Sequence, residues 1–189
     1  MVKLLGISGS LRRGSFNSAL LRAAIRLMPE DSLLEAASIR GIPLYDADVE
    51  AQGMPAAVTQ LKEAVVAAAG VLLVTPEYNN SIPGVFKNAI DWLSRPNSDV
   101  KRVFSARPFA VIGASPGGFG TILAQAAWLP VLRTLGTQLW SGGRLQVSRA
   151  AVVFDDAGNL KDGVIEEQLK QFLAGYVAFV RRAGAQPSA

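Results

Sequence analysis

Three short runs of continuous apolar residues, each closing on a loop rich in Gly, Ser or Pro, constrain this chain more than any other feature. Val2 to Ile7 closes on Ser8-Gly9-Ser10, Gly70 to Val74 on Thr75-Pro76-Glu77, and Phe109 to Gly113 on Ser115-Pro116-Gly117-Gly118. Apolar character at every position, rather than every second one, suits strands covered on both faces, as in a parallel sheet. Weaker strands are expected at 33–39 and 138–140. Helical stretches lie between the runs. In 83–93, Val85, Phe86, Ala89, Ile90 and Leu93 share one face, opposite Lys87, Asn88 and Asp91, and Pro83 suits the first turn. A last helix follows an Asp162 N-cap and carries Ile165, Leu169, Phe172, Leu173, Tyr176 and Val180 on one stripe. Pro130 is expected to kink or break the helix that follows Gly120.

Strand, loop and helix repeated about five times predict a doubly wound α/β sheet. The chain of 189 residues suits one domain, placed at 1–183, with a frayed tail over 184–189. In such sheets ligands sit beyond the carboxyl ends of the strands, where the strand order reverses. All three unusual loops follow strands, so all three can converge there on one composite site.

Composition narrows what that site can do. There is no cysteine and no histidine, which excludes thiolate nucleophiles, Ser-His-Asp triads, imidazole bases and cysteine-held metal clusters. Demanding redox chemistry then has to come from a borrowed cofactor. No apolar run reaches the roughly 18 residues of a membrane span. The first residues enter a strand without a signal-like leader, and the expectation is a cytoplasmic protein with no membrane partner. A net charge of +4 with scattered basic residues gives no nucleic-acid footprint.

The first loop, Ser8 to Ser18, offers hydroxyls at Ser10, Ser15 and Ser18, an amide at Asn17, two guanidinium groups and the start of a helix. That set suits a phosphate dianion. It equally suits a plain turn capped by Ser15 or Asn17, with solvated arginines. Gly9 to Gly14 has Walker A spacing, but Ser15 and Phe16 stand where Lys and Ser/Thr are required, and the dinucleotide fingerprint is missing too. A monophosphate is the remaining phosphate reading. The second loop, Thr75 to Gly84, is stiffened by two prolines and could read the edge of a flat heteroaromatic ring through its backbone and Asn79, with Tyr78 beside the ring. An ordinary turn is its alternative. The third loop, Ser115 to Gly120, has three glycines that permit close backbone approach, or a plain connection. Asp155-Asp156 lacks the spacing of a calcium loop and reads as a solvated turn.

The stretch Gly9-Ser10-Leu11-Arg12-Arg13-Gly14-Ser15-Phe16-Asn17 resembles the phosphate loop of the NADPH-dependent FMN reductase family. Pro76-Glu77-Tyr78-Asn79-Asn80-Ser81-Ile82-Pro83-Gly84, then Lys87-Asn88-Ala89-Ile90-Asp91-Trp92, resembles that family's flavin-ring loop and next helix. The bacterial quinone and chromate reductases are the most similar branch, and the likeness covers roughly 3 to 180. It implies a flavodoxin-like fold: a five-stranded, doubly wound parallel sheet in three α/β/α layers. It implies non-covalent FMN, reduced by NADH or NADPH and reoxidised by quinones, with chromate, azo compounds and free flavin as further acceptors. Ser10, Arg12, Ser15 and Asn17 would hold the phosphate, within a cofactor loop that includes Leu11, Arg13, Gly14 and Phe16. Pro76, Glu77, Tyr78 and Asn79 would line the isoalloxazine, and Ser115 with Gly117 would close its far side. The resemblance also implies a homodimer or homotetramer, and no catalytic acid–base residue. A flavodoxin-type carrier awaiting a protein partner is the alternative. Flavodoxins are usually strongly acidic, whereas this chain has a pI near 9.7.

Overall fold

The computed structural model describes residues 1–185. A parallel sheet in the order β2-β1-β3-β4-β5 is built from β1 (Val2–Ser8), β2 (Ser32–Ala37), β3 (Gly70–Val74), β4 (Pro108–Ala114) and β5 (Gln138–Leu139). This is the predicted doubly wound arrangement. It has one addition: β6 (Gln146–Val147) pairs in parallel with the end of β4, Gly113 to Gln146 and Ala114 to Val147. The fifth position of the sheet is thus shared by two short strands, of which the sequence reading anticipated only β5. Two residues make a ladder too short to leave a periodicity in sequence.

Alternate residues of the central strands enter two separate cores. Leu4, Leu72, Val74, Ala110 and Ile112 face one. Leu5, Ile7, Val71, Leu73 and Phe109 face the other. The first core is closed by α1 (Phe16–Arg26) and α8 (Gly163–Ala185), and the second by α3 (Ala56–Ala67), α4 (Gly84–Leu93), α5 (Val100–Phe104) and α6 (Ile122–Thr134). Short α2 (Ala47–Ala51) and α7 (Ala150–Val153) complete the helices. Helices on both faces make three layers, and explain why β3 is apolar and buried at every position.

The Asp162 carboxylate accepts the Val164 and Ile165 N–H groups at 2.9 and 3.1 Å, capping α8 as expected. That helix runs on through Ala185, so Gly184 and Ala185 are helical rather than tail, and 186–189 lie outside the described residues. Tyr176 on α8 is fully buried, and its hydroxyl lies 2.8 Å from the Val71 carbonyl and 3.0 Å from that of Pro108. Burial pushes its pKa well up, keeping the phenol neutral.

Of the kink or break expected at Pro130, the break does not occur: α6 runs as one helix from Ile122 to Thr134. Trp128 and Leu132 are buried on either side of the proline and hold the segment to the core. Ala126, whose carbonyl loses a partner, is exposed together with Pro130, so solvent can take that bond.

At the far end of the sheet, Trp140 packs edge-on against Phe172 at 4.7 Å and beside Tyr176 at 5.6 Å. Gly142, Gly143 and Gly175 surround its indole, and a Cβ at any of them would come within 2.7–2.8 Å of the ring.

Candidate functional site

The first loop leaves β1 at Gly9, whose N–H donates to the Val74 carbonyl at 2.9 Å, tying this loop to the end of β3. A Cβ at Gly9 would overlap the Phe86 ring, so only glycine lets the loop pass over α4. Ser15 is buried and caps α1, accepting the Ser18 N–H at 3.3 Å. Among the described residues, the N–H groups of Ser15, Phe16 and Asn17 have no acceptor in the chain. Such a row of free donors at a helix start is an anion site when a positive side chain stands beside it. Arg12 stands there, with its guanidinium 5.5 Å from the Phe16 ring centroid. The Arg12 N–H bonds the Ser10 hydroxyl at 3.3 Å, which leaves the serine proton free to donate.

Asn17 plays a part that the sequence reading did not foresee. Its amide is buried and doubly bonded to Ala114: Nδ2 donates to the carbonyl at 2.8 Å and Oδ1 accepts the N–H at 2.9 Å. The side chain therefore clamps the first loop to the end of β4, and only its backbone N–H is left for a ligand. Nothing local in the sequence signals a partner 97 positions away.

In the second loop, Tyr78 and Ser81 exchange N–H···O bonds of 3.1 and 3.0 Å around Asn79 and Asn80. Both asparagines have positive φ, 49° and 61°, the dihedral pattern of a type I′ turn, which asparagine tolerates better than most residues. The turn leaves the N–H groups of Glu77, Asn79 and Asn80 without acceptors among the described residues, and Tyr78 half-exposed. Pro76 and Pro83 are buried and anchor its two ends. Glu77 Oε2 accepts the N–H groups of Leu123 and Ala124, both at 2.9 Å. It thereby caps α6 in place of Thr121, which sits at φ 66° and supplies no side-chain cap.

In the third loop, the Ser115 backbone is committed on both sides: its N–H to Val147 at 3.0 Å and its carbonyl to the Ala150 N–H at 3.0 Å. The Gly117 carbonyl takes the Arg149 N–H at 2.9 Å. The loop thus rests on β6 and α7, and Ser115 can offer a ligand only its hydroxyl. No atom lies within 4 Å of where a Cβ of Gly117 or Gly118 would stand, and Phe119 beyond them is largely exposed.

The three loops are tied in a ring at the carboxyl edge of the sheet: first to second by Gly9–Val74, first to third by Asn17–Ala114, second to third by Glu77 and α6. A cleft of about 400 Å³, lined in part by Arg13–Phe16 and Phe154–Gly158, flanks the first loop on the α7 side. Asp155 faces that cleft, but its carboxylate is held below the usual range by bonds from Asn159, in the solvated turn expected. Among the described residues no cluster of acidic groups could hold a metal. None of their helices is long and apolar enough to cross a membrane.

A free donor row with one adjacent arginine matches a phosphate monoester, and the proline-pinned turn and open glycines leave room for a planar ring. These features define a flavodoxin-like mononucleotide-binding domain, with the first two loops at the β1/β3 switch of strand order and the third after the neighbouring β4.

Comparison with known proteins narrows the class. The model of the family described as NADPH-dependent FMN reductase matches residues 2–152. An NAD(P)H-dependent FMN reductase of Pseudomonas aeruginosa is 46% identical over 181 residues, covering 96% of each chain. A 2-hydroxy-1,4-benzoquinone reductase of Burkholderia is 37% identical over 180 residues, 95% of this chain and 97% of that one. Among solved structures, the flavoenzyme NAD(P)H:(acceptor) oxidoreductase FerB of Paracoccus denitrificans superposes with a TM-score of 0.87 at 32% identity, covering 97% of this chain and 99% of its own. The chain belongs to the NADPH-dependent FMN reductase family. It is accordingly an oxidoreductase, of a family that uses FMN with a nicotinamide nucleotide as electron donor.

Proposed function

We propose that the chain binds FMN without a covalent link and passes electrons from NADH or NADPH to quinones. The observation that carries this reading is the ring of three tied loops around one donor row. Bound FMN would supply the hydride chemistry, and the chain's own groups position and shield it. The phosphate is held by the N–H groups of Ser15, Phe16 and Asn17, the Ser10 hydroxyl and Arg12. Residues 76–79 would line the ring, with Gly117 and Gly118 across from them. The rigid turn at Asn79-Asn80 holds fixed N–H donors that would meet the ring edge and stabilise negative charge there. Burial of Thr75 and Pro76 keeps the floor of the site dry.

The quinone assignment is supported by the relative in Burkholderia, a 2-hydroxy-1,4-benzoquinone reductase. Chromate, azo compounds and free flavin are further acceptors in the same proposal, and the cytoplasm is its proposed location. The test is a visible spectrum of purified protein, then NADH and NADPH oxidation with 1,4-benzoquinone and each further acceptor. Yellow protein that releases FMN on denaturation and oxidises either nucleotide only when quinone is present is expected. Protein that takes up no FMN would refute the cofactor site. Flavin-loaded protein inert with every acceptor would make it a carrier.

A further inference from the structure

Beneath the second loop lies a short, directed chain of hydrogen bonds. The Trp128 indole N–H donates to the Thr75 hydroxyl at 3.1 Å, and that hydroxyl donates to the Pro76 carbonyl at 2.8 Å. An indole N–H can only donate, so the hydroxyl has to accept from it and send its own proton onward. The direction of the chain is therefore fixed. Trp128 and Thr75 are both fully buried, out of reach of solvent. The indole packs edge-on against Phe86 at 5.0 Å, and the Thr75 N–H is bound to the Ile112 carbonyl of β4 at 2.8 Å. Neither end of the chain has room to drift.

The Pro76 carbonyl shares its peptide plane with the Glu77 N–H. That unit is trans, so its C=O and N–H point in opposite directions. A carbonyl turned down onto Thr75 thus turns the Glu77 N–H away from the core, and that N–H has no acceptor among the described residues. The Glu77 side chain holds the same unit from its other end. Its Oε2 accepts the Leu123 and Ala124 N–H groups of α6, the helix that carries Trp128. One helix therefore grips the loop at 75 and at 77, on either side of a single peptide plane. Were the plane to turn over, the Thr75 hydroxyl would meet an N–H and be left buried without an acceptor, which folded chains avoid.

We propose that Trp128 and Thr75 are positioning residues: they lock the Pro76-Glu77 peptide with its N–H towards the flavin ring, and so raise the reduction potential of bound FMN. The inference rests on the proposed lining of the ring by 76–79. Donation into the Pro76 carbonyl polarises the amide and makes its N–H a stronger donor. A donor fixed at the ring edge in advance stabilises the negative charge that reduction adds. Trp128 acts from the core side, through the hydroxyl and the carbonyl.

The test is the two-electron midpoint potential of FMN bound to the protein, read by equilibration with redox dyes in the absence of oxygen. Thr75→Val keeps the branched shape and removes the hydroxyl. It should weaken the binding of reduced FMN relative to oxidised FMN by about tenfold, which lowers the potential by about 30 mV. Thr75→Ser restores the hydroxyl and should return the wild-type potential. Thr75→Val also strands the indole N–H, so the Thr75→Val/Trp128→Phe variant, which removes both groups, keeps the test open if the single variant fails to fold. Because the indole acts only through the hydroxyl, the double variant should show the same lowering as Thr75→Val. A potential that stays put or rises in the Val variants, a Ser variant that behaves like Val, or a further fall of similar size on adding Trp128→Phe would overturn the proposal. Wild-type protein that takes up no FMN would refute the cofactor reading and this proposal with it, whereas bound FMN with an unmoved potential refutes the proposal alone.

Discussion

Arg12 and Arg13 are adjacent in sequence and differ in surroundings. Arg12 lies over Phe16 at the start of α1, whereas Arg13 lines the cleft on the α7 side. Arg12→Ala should weaken FMN binding about ten- to a hundredfold, the equivalent of one hydrogen bond to a charged group at roughly 1.5–3 kcal/mol. Arg13→Ala should cost about 1 kcal/mol or less, and salt should remove most of it. FMN titration of the two apo-variants at two ionic strengths decides, and equal losses would discard the assignment of Arg12. Glu77 invites a second comparison. Glu77→Ala strips two helix N–H groups of their acceptor and should cost about 1–2 kcal/mol in thermal denaturation. Glu77→Gln retains an oxygen that can accept both, so it should recover most of that loss; if Gln is as damaging as Ala, the carboxylate does something other than cap α6. These roles differ in how far they could be read from sequence. Ser15 as a cap is visible because its partner is three residues away, whereas the partners of Glu77 and Asn17 lie 46 and 97 positions off.

The elements best read from sequence are those whose apolar pattern is long. The central strands and the stripe of α8 stood out because each buries many residues on a regular period. The fifth sheet position did not, because β5 and β6 hold two residues each and are defined by their pairing with β4. At Pro130 the local rule is sound, but packing of Trp128 and Leu132 carries the helix through the proline without a break. That balance can be measured. Pro130→Ala restores an N–H to the Ala126 carbonyl on an exposed helix face and should stabilise the protein by about 1–2 kcal/mol, less than the full proline penalty because the unfolded chain gains freedom. A lower melting temperature in this variant would show that the ring of Pro130 contributes a contact of its own.

At the scale of the whole molecule, one group of exposed apolar side chains lies where the site opens. Phe119 is 74% exposed, Tyr78 47%, Leu129 48%, Leu123 43% and Ile122 40%, all on or beside the second and third loops and α6. Exposed apolar surface bordering a ligand site marks a place for another molecule, and we propose that a second copy of the chain covers it. Sedimentation at micromolar concentration should give a dimer or tetramer, and Leu129→Asp should shift it towards the single chain of 20.0 kDa. Wild-type protein that sediments only at that mass would end the proposal.

The indole of Trp140, enclosed by Gly142, Gly143 and Gly175, bears on how such a sequence can drift over generations. While tryptophan stands at 140, no side chain can be admitted at the other three positions without moving a ring already wedged against Phe172 and Tyr176. Once a smaller residue replaces it, all three become free to vary. The four positions should therefore be inherited as one unit: among descendants of a common ancestor, side chains at 142, 143 or 175 should occur in those that have lost the tryptophan.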